Sequence, residues 1–222
     1  MLLFFFMTFH IITLFPNAFD SYLGESILKR AIEDKKIKVQ FYNPRDFSEK
    51  KFRHIDRPPY GGGPGMVIQA EPVIRAVASC KLEVKSKKPK IIWLTPSGKQ
   101  FTNESAKKLV SKSKDIIIIC GRYEGIDARV KKVFKGEEVS VGPFILTGGE
   151  LPAMLMIDVI SRQVEGVLGD FNSLEESRTA NPNVYTRPEV LEYKGKKYRV
   201  PKILLSGHRA KIEAWKQSKI KK

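Results

Sequence analysis

The sequence is poor in the residues that build disulfide frameworks and zinc sites. Only two cysteines and three histidines occur among 222 residues. Cys80 and Cys120 stand far apart in apolar surroundings, and His10, His54 and His208 are scattered along the chain. We therefore expect neither a disulfide framework nor a zinc site, and the composition suits a reducing, cytoplasmic environment.

The familiar nucleotide-binding motifs are also missing. The chain has no G-x-x-x-x-G-K-[ST] string and no G-x-G-x-x-G between a first strand and its helix, which disfavours a P-loop ATPase or a Rossmann dehydrogenase. No serine has a histidine partner by motif, and neither cysteine has an electropositive setting, so a nucleophilic mechanism is disfavoured as well. Carboxylates, arginines and oriented backbone groups are left to carry any chemistry.

No hydrophobic run is long enough to span a bilayer. The N-terminal run MLLFFFMTFHIITLFP has no Lys or Arg before it and no small-residue cleavage site after it, so it does not resemble a secretory signal either. We expect residues 9–15 to form a buried first strand. Met7 would serve as the initiator as well as Met1, and MLLFFF would then be an artefact of the start assignment.

Acidic residues are scarce relative to basic ones. The chain carries 40 Lys and Arg against 24 Asp and Glu, a net charge of +16, which attracts polyanions. A diffuse surplus would indicate only solubility. Eleven of the basic residues but only two glutamates lie within residues 191–222, and this clustering favours a nucleic-acid contact.

Strand and helix patterns alternate along the chain, which predicts an α/β fold with a mostly parallel sheet. The run Ile116–Ile119 lacks polar alternation, as expected of a strand covered on both faces. We predict one domain over residues 1–168, a linker over 169–184 and a short basic domain over 185–222 with a helix around Ile212 and Trp215. Strands are predicted at 9–15, 38–42, 66–69, 91–94, 115–120 and 137–141, and helices at 20–34, 71–82, 102–111, 126–134 and 150–164.

Glycine-rich loops follow three of the predicted strands, at residues 95–98, 121–127 and 142–150. Ligands of open α/β sheets bind beyond the carboxyl ends of the strands, so these loops could form one pocket. A single glycine loop is more often a turn, but three in succession favour a pocket. A fourth loop, PYGGGPGM at 59–66, mixes four glycines with two prolines and is shaped for a ligand rather than merely flexible.

Six charged residues near these loops or after the last predicted helix are candidates for acid, base or cation roles. Asp158 and Arg162 stand four residues apart, so a helical salt bridge is the alternative interpretation of that pair. The six candidates are Glu124, Glu150, Asp158, Arg162, Glu175 and Glu176.

Four strings closely resemble a known family: Pro59–Met66, Cys120–Asp127 (CGRYEGID), Thr147–Ala153 (TGGELPA) and Tyr185–Pro188 (YTRP). They are similar, in the same order, to strings of the bacterial tRNA (guanine-N1)-methyltransferases, the TrmD family. The resemblance runs from about Met7 to Trp215. It implies a deep trefoil-knotted methyltransferase domain of the SPOUT class, a homodimer with active sites at the subunit interface, and a tRNA-binding C-terminal domain that is truncated here.

The resemblance also implies the reaction. Such an enzyme transfers a methyl group from S-adenosylmethionine to N1 of the guanine immediately 3′ of the tRNA anticodon. The glycine loops would form the knot around the cofactor, and the 59–66 loop would border the pocket for the guanine, with Tyr60, Gly61, Gly62 and Gly63 contacting substrate, as would Arg187 and Arg209. The cofactor-binding residues implied are Thr95, Pro96, Ser97, Gly98, Cys120, Gly121, Tyr123, Glu124, Gly125, Val141, Gly142, Pro143, Phe144, Ile145, Leu146, Gly148 and Gly149.

Carried over by position, the catalytic base is Glu176 and the cation that stabilises charge on O6 of the guanine is Arg162. Glu124 is a third candidate, for substrate contact or for Mg²⁺, which either Glu124 or Glu176 could hold.

Three departures from the family pattern bear on these roles. The family has Glu-Asp-Ser where this chain has Glu175-Glu176-Ser177, which leaves Glu175 and Glu124 as alternatives for the base. Pro143 stands where Asp is usual, and His208-Arg209 where Asn-His is usual. The alternative function is a non-catalytic or differently targeted RNA-binding protein with the same fold.

Overall fold

The structure is a computed structural model that describes residues 7–49, 54–84, 86, 88–168 and 183–218. The chain divides into two compact units, Met1–Gly169 and Asp170–Lys222. Three predicted features lie outside the described residues: the extra N-terminal residues 1–6, most of the linker with Glu175 and Glu176, and the last four residues.

The first unit is built on a five-stranded sheet. Its strands are all parallel and lie in the order β2-β1-β6-β5-β7, which confirms the predicted α/β class with a mostly parallel sheet. A separate antiparallel pair joins β3 and β4. The strands are β1 (Met7–Ile12), β2 (Ile37–Tyr42), β3 (Asp56–Arg57), β4 (Val67–Ile68), β5 (Lys90–Gln100), β6 (Asp115–Ile119) and β7 (Glu137–Ser140).

Helices cover both faces of this sheet. Ile116 and Ile118 pack in one hydrophobic cluster with residues of α2, α4 and α6, while Ile117 and Ile119 pack in the other with residues of α3 and α5. All four isoleucines are buried, as the absence of polar alternation predicted. The helices are α1 (Asp20–Leu23), α2 (Ser26–Glu33), α3 (Ala70–Glu83), α4 (Asn103–Lys112), α5 (Arg129–Val133) and α6 (Glu150–Ser161).

Two predicted elements near the N-terminus have different bounds in the structure. The first strand ends at Ile12 rather than at residue 15, and Pro16 opens a 3-10 turn just beyond it. The helix predicted over 20–34 is divided into α1 and α2. Gly24 stands at the end of α1, where a Cβ would lie 2.6 Å from the carbonyl oxygen of Asp20.

Two further predictions are corrected at the sheet. The strand predicted at 66–69 is only the two-residue β4, outside the main sheet. The 95–98 loop does not end a strand, since β5 continues to Gln100 and pairs with β7 on both sides of it. Leu94 and Lys99 share one partner, Val139, so residues 95–98 bulge out between them.

Residues 183–218, the described part of the second unit, contain a β-hairpin and two helices. Strands β8 (Val190–Tyr193) and β9 (Lys196–Arg199) pair through a turn at Lys194 and Gly195, whose φ angles are +49° and +71°. Helices α7 (Lys202–Leu205) and α8 (Arg209–Ser218) follow, and α8 contains the helix predicted around Ile212 and Trp215. The hairpin was not predicted, although Lys-Gly suits the left-handed conformations of a two-residue turn.

None of the helices among the described residues combines the length and the apolar character needed to cross a membrane.

Candidate active site

A cavity of about 330 Å³ opens where the 95–98 bulge of β5 meets the segments that follow β6 and β7. These strands are neighbours in the sheet, so the bulge and the two segments lie close together, near the strand ends where ligand sites of parallel α/β sheets are expected. The lining residues are Leu94, Thr95, Pro96, Gly121, Arg122, Tyr123, Glu124, Gly125, Val139, Ser140, Val141, Gly142, Phe144, Ile145, Leu146, Thr147, Gly148, Gly149 and Pro152.

The 95–98 bulge reaches the cavity because Gly98 lies directly against β7. A Cβ at Gly98 would stand 2.5 to 2.7 Å from backbone atoms of Glu138 and Val139. No larger residue fits at that distance from another backbone. Gly98 therefore allows Thr95 and Pro96 to form a wall of the cavity.

The other two segments, 121–125 and 141–149, are joined by backbone contacts. The Gly149 N–H donates to the Gly121 carbonyl over 2.9 Å, and Arg122 and Gly148 form an antiparallel bridge. A Cβ at Gly149 would stand 2.6 Å from the Cα of Cys120. The glycines thus bring two loops into direct backbone contact at the floor of the site.

An ion pair lies under these joined loops. Arg122 Nε donates to Glu150 Oε2 at 2.9 Å, and the Thr13 hydroxyl donates to Glu150 Oε1 at 2.8 Å. The Glu150 side chain is only 4% exposed. The Arg122 guanidinium also stacks over the ring of Phe15, 4.7 Å from its centroid, a favourable cation–π contact.

The glycine-rich 59–66 loop contacts the segment 121–127. Its four glycines have φ between +80° and +112°, a backbone conformation that favours glycine. The Glu124 N–H donates to the Met66 carbonyl at 3.0 Å, and a Cβ at Gly65 would stand 2.6 Å from the Glu124 carboxylate. Two motifs that are more than fifty residues apart in the chain therefore meet at Glu124.

The thiols are unsuited to nucleophilic roles. Burial raises the pKa of Cys120 well above its ordinary value and that of Cys80 to about 12. Both therefore stay protonated near neutral pH, and a thiolate is the reactive form. This agrees with the expectation of chemistry without a cysteine nucleophile.

Beside the site, Asp127 is held ionised by Arg129. The Arg129 Nη2 lies 2.7 Å from Asp127 Oδ2, and this hydrogen bonding lowers the pKa of the Asp127 carboxyl. Asp127 also accepts from the Arg129 backbone N–H at 2.9 Å, so it fixes the start of α5.

Most of the residues predicted to bind the cofactor line the cavity. Ser97, Gly98, Cys120 and Pro143 do not line it, although Gly98 and Cys120 support it through the contacts described above. Lining residues that the sequence did not single out are Leu94, Arg122, Val139, Ser140, Thr147 and Pro152. Arg122 could have been predicted as a lining residue from the sequence, because it lies inside the string GRYEGID.

The structure places the remaining predicted residues as follows. Arg162 directly follows α6 and is half-buried, and Asp158 accepts a hydrogen bond from the hydroxyl of Tyr22. Tyr60 is fully exposed, with open space around the neighbouring residues 61–63. Arg187 and Arg209 are exposed in the second unit, and Glu176 lies outside the described residues.

For Mg²⁺, the described residues offer no ready-made site. Within them, no group of three or more His, Cys, Asp or Glu side chains could hold a metal ion. Glu124 alone is a single carboxylate ligand. We therefore assign no step to the metal.

Comparison with known proteins gives concordant matches. Residues 7–222 match the family model "tRNA (Guanine-1)-methyltransferase TrmD". A "tRNA (guanine-N(1)-)-methyltransferase" of Campylobacter jejuni subsp. doylei is 46% identical over 95% of this chain and 90% of its own length. A protein of the same name from Clostridioides difficile is 45% identical, over 95% of this chain and 91% of its own.

A solved structure agrees with both. The crystal structure of the tRNA (m1G37) methyltransferase from Aquifex aeolicus is 39% identical and superposes with a TM-score of 0.76, covering 96% of this chain and 88% of that one. The family model spans nearly the whole chain. The chain therefore belongs to the tRNA (guanine-1)-methyltransferase TrmD family.

Proposed function

We propose that this protein methylates N1 of the guanine immediately 3′ of the tRNA anticodon, with S-adenosylmethionine as methyl donor. One observation carries the proposal: three segments from neighbouring parallel strands, two of which contain the family strings CGRYEGID and TGGELPA, line one cavity of about 330 Å³. That volume lies within the range of roughly 300 to 1,000 Å³ typical of small-molecule sites.

The segments that would hold the cofactor are 94–96, 121–125 and 141–149. Gly98 and Gly149 lie so close to other backbone that no Cβ fits. The lining glycines leave main-chain N–H and C=O groups at the cavity wall: Gly121, Gly125, Gly142, Gly148 and Gly149. Backbone groups in that arrangement suit the recognition of an adenine edge. The cofactor, when bound, supplies a methyl group already activated on a sulfonium.

The protein must then act mainly on the base, because N1 of guanine carries a proton at neutral pH and is a poor nucleophile. A carboxylate would take that proton as N1 forms its bond to the methyl carbon, and the cofactor would leave as the neutral thioether. Such general base catalysis contributes typically about 10²- to 10⁴-fold. We assign the base to Glu176 and the cation that stabilises charge on O6 to Arg162.

We assign the guanine slot to the junction of the 59–66 loop and Glu124. The glycines leave open space there, and the Glu124 carboxylate lies directly at Gly65. A base taken out of its stack needs a slot with closely approaching backbone and hydrogen-bond acceptors for its edge. Glu124 can accept from the exocyclic amino group of guanine.

We assign recognition of the rest of the tRNA to the basic second unit, with Arg187 and Arg209 among the contacting residues. Its hairpin presents four exposed Lys and Arg side chains, in the turn or along β9: Lys194, Lys196, Lys197 and Arg199. Phosphate neutralisation by such residues dominates nucleic-acid affinity. Because the proposed substrate is tRNA, we also propose a cytoplasmic location.

We further propose a trefoil knot formed by the cavity segments and a homodimer with the active site at the subunit interface. The apolar side chains of Ile145 at the cavity rim and of Leu151 and Leu155 on α6 are exposed and support a second chain at this face. Analytical ultracentrifugation should show a dimer that dissociates in the double variant Leu151→Glu/Leu155→Glu. Leu82→Glu on α3, which is more exposed than either leucine and lies on the other face of the sheet, should stay dimeric, and a monomeric wild type would refute the dimer.

Two measurements on the intact chain distinguish the proposed function from the alternative, a non-catalytic or differently targeted RNA-binding protein. Isothermal titration should show S-adenosylmethionine binding, and labelled methyl groups should pass from the cofactor to tRNA. RNA binding without cofactor binding would favour the non-catalytic alternative. Cofactor binding with transfer only to other RNA would favour a different target.

A further inference from the structure

Glu150 occupies an unusual place next to the cofactor cavity. It is buried, begins α6, and is not one of the described residues that line the cavity. A carboxylate at a helix N-terminus is favoured by the helix dipole. A buried carboxylate nevertheless needs partners, because an unpaired charge in the interior is costly.

Its two partners come from two different segments. Thr13 follows β1 and donates to one carboxylate oxygen, and Arg122 follows β6 and donates to the other. The Thr13 hydroxyl also accepts from the Phe15 N–H at 3.0 Å, and Phe15 lies under the Arg122 guanidinium. One carboxylate therefore joins the end of β1, the 121–125 segment and the start of α6.

Arg122 is the member of this group that reaches the cavity. Of its five N–H donors, Nε is used by Glu150 and one on Nη1 by the Thr147 carbonyl at 3.4 Å. Within the described residues, the remaining donors have no acceptor. Arg122 thus lines the cavity with unused N–H donors, while Glu150, which does not line the cavity, fixes the orientation of its side chain.

We propose that Glu150 is a positioning residue for the cofactor site: through Arg122 and Thr13 it holds the 121–125 and 147–149 segments in the conformation that binds S-adenosylmethionine. It is neither the acid nor the base of the reaction. This inference rests on the proposed function, since it assigns the cavity to the methyl donor.

The test is Glu150→Gln, which keeps the shape but removes the charge. The amide NH2 can then face only the Thr13 hydroxyl oxygen, so the hydroxyl hydrogen loses its acceptor and Arg122 loses its charged partner. A hydrogen bond to a charged group typically contributes enough to change an equilibrium by about ten- to hundredfold. When the binding-competent conformation becomes less populated, the apparent Kd rises in proportion. Calorimetry with S-adenosylhomocysteine should therefore give a higher Kd, by up to about a hundredfold.

Kinetics separate positioning from catalysis. The KM for S-adenosylmethionine should rise, while the single-turnover rate at saturating cofactor and the KM for tRNA stay within about twofold of wild type. The double variant Arg122→Ala/Glu150→Gln should lose less affinity than the two single losses added together, because Glu150 acts in part through Arg122. Fully additive losses would overturn the proposal.

Val77→Ala is the matched control, since it creates a cavity in the core on the opposite face of the sheet. It should lower the melting temperature and leave the Kd unchanged. An equal rise in Kd in this control would show that Glu150→Gln acts through general stability and would overturn the proposal. If Glu150→Gln does not fold, Thr13→Val removes only the hydroxyl donor and should still weaken binding severalfold.

Cofactor binding by the wild-type protein distinguishes a failure of the proposed function from a failure of the positioning role of Glu150. Wild-type protein that binds no S-adenosylhomocysteine would refute the proposed function itself. Wild-type binding with an unchanged Kd in Glu150→Gln, or in Thr13→Val where that variant replaces it, would refute only the positioning role.

Discussion

Gly149→Ala tests the close backbone contact at the floor of the cavity. Gly149 has φ −83° and ψ −7°, so alanine can adopt its backbone conformation without strain and the effect is purely steric. The added Cβ would stand 2.6 Å from the Cα of Cys120 and 3.0 Å from the N of Gly121. Neither atom can rotate away, so the two loops must separate.

The size of the effect follows from that separation. Ordinary carbon contacts are about 3.5 to 4.0 Å, so the loops must move apart by about 1 Å, which also lengthens the hydrogen bond from Gly149 to Gly121. Overpacking of this kind typically costs about 1 to 3 kcal/mol. For a chain of this size we expect a fall in melting temperature of about 2 to 12 °C.

The assay is thermal unfolding by circular dichroism, with calorimetry for cofactor affinity. Gly121→Ala is the control for melting temperature, because its nearest neighbour would be a side-chain carbon of Ile126 at 4.0 Å, and its melting temperature should change little. Cofactor binding should weaken in Gly149→Ala because the cavity wall has shifted. Unchanged stability together with unchanged affinity in Gly149→Ala would refute the steric argument.

Three further predictions concern chemistry, RNA binding and pH. Glu176→Gln should lose most single-turnover methylation and keep its cofactor affinity; unchanged turnover would move the base to Glu175 or Glu124. Deletion of residues 216–222 should weaken tRNA binding. It should also flatten the slope of the log binding constant against log salt concentration, by up to about 0.9 per lost phosphate contact on duplex and about 0.7 on single strand. An unaltered slope would mean that these lysines are only solvated and do not contact tRNA. Burial lowers the pKa of His10 below its ordinary 6.5, opposed in part by the hydrogen bond to Asp115, so the unfolded state binds the proton more readily and stability should fall as pH drops below about 6.5. Denaturant midpoints between pH 8 and 5 should show this loss, and His10→Gln should show less of it; an identical pH profile in the variant would contradict the assignment.

The periodicity of apolar residues was sufficient to predict an element where one interaction, the burial of its apolar side chains, decides its structure. The apolar run of β6 predicted a strand covered on both faces, and the order of strands and helices predicted a mostly parallel sheet. The division of the helix at Gly24 escaped prediction, because the apolar spacing of residues 23, 27 and 31 continues across it. The continuation of β5 past Gly98 also escaped, since it depends on contact with β7, an element nearly forty residues further along the chain.

At the site, the sequence motifs identified the cavity segments but not the contacts that hold them. The strings GRYEGID and TGGELPA pointed to the right loops. The ion pair of Arg122 with Glu150 could not be predicted, because the two residues are 28 positions apart and only the sheet order brings them together. Thr13, at the end of the first strand, carries no motif signal at all.

The central claim is that this cavity serves the methylation of one guanine. Two tRNA transcripts that differ only by guanine or adenine immediately 3′ of the anticodon should be incubated with the protein, labelled S-adenosylmethionine and Mg²⁺, then digested and mapped by mass spectrometry. The account predicts 1-methylguanosine at that single position in the guanine transcript and no label in the adenine transcript. An unmodified guanine, or equal labelling of both transcripts, would contradict it.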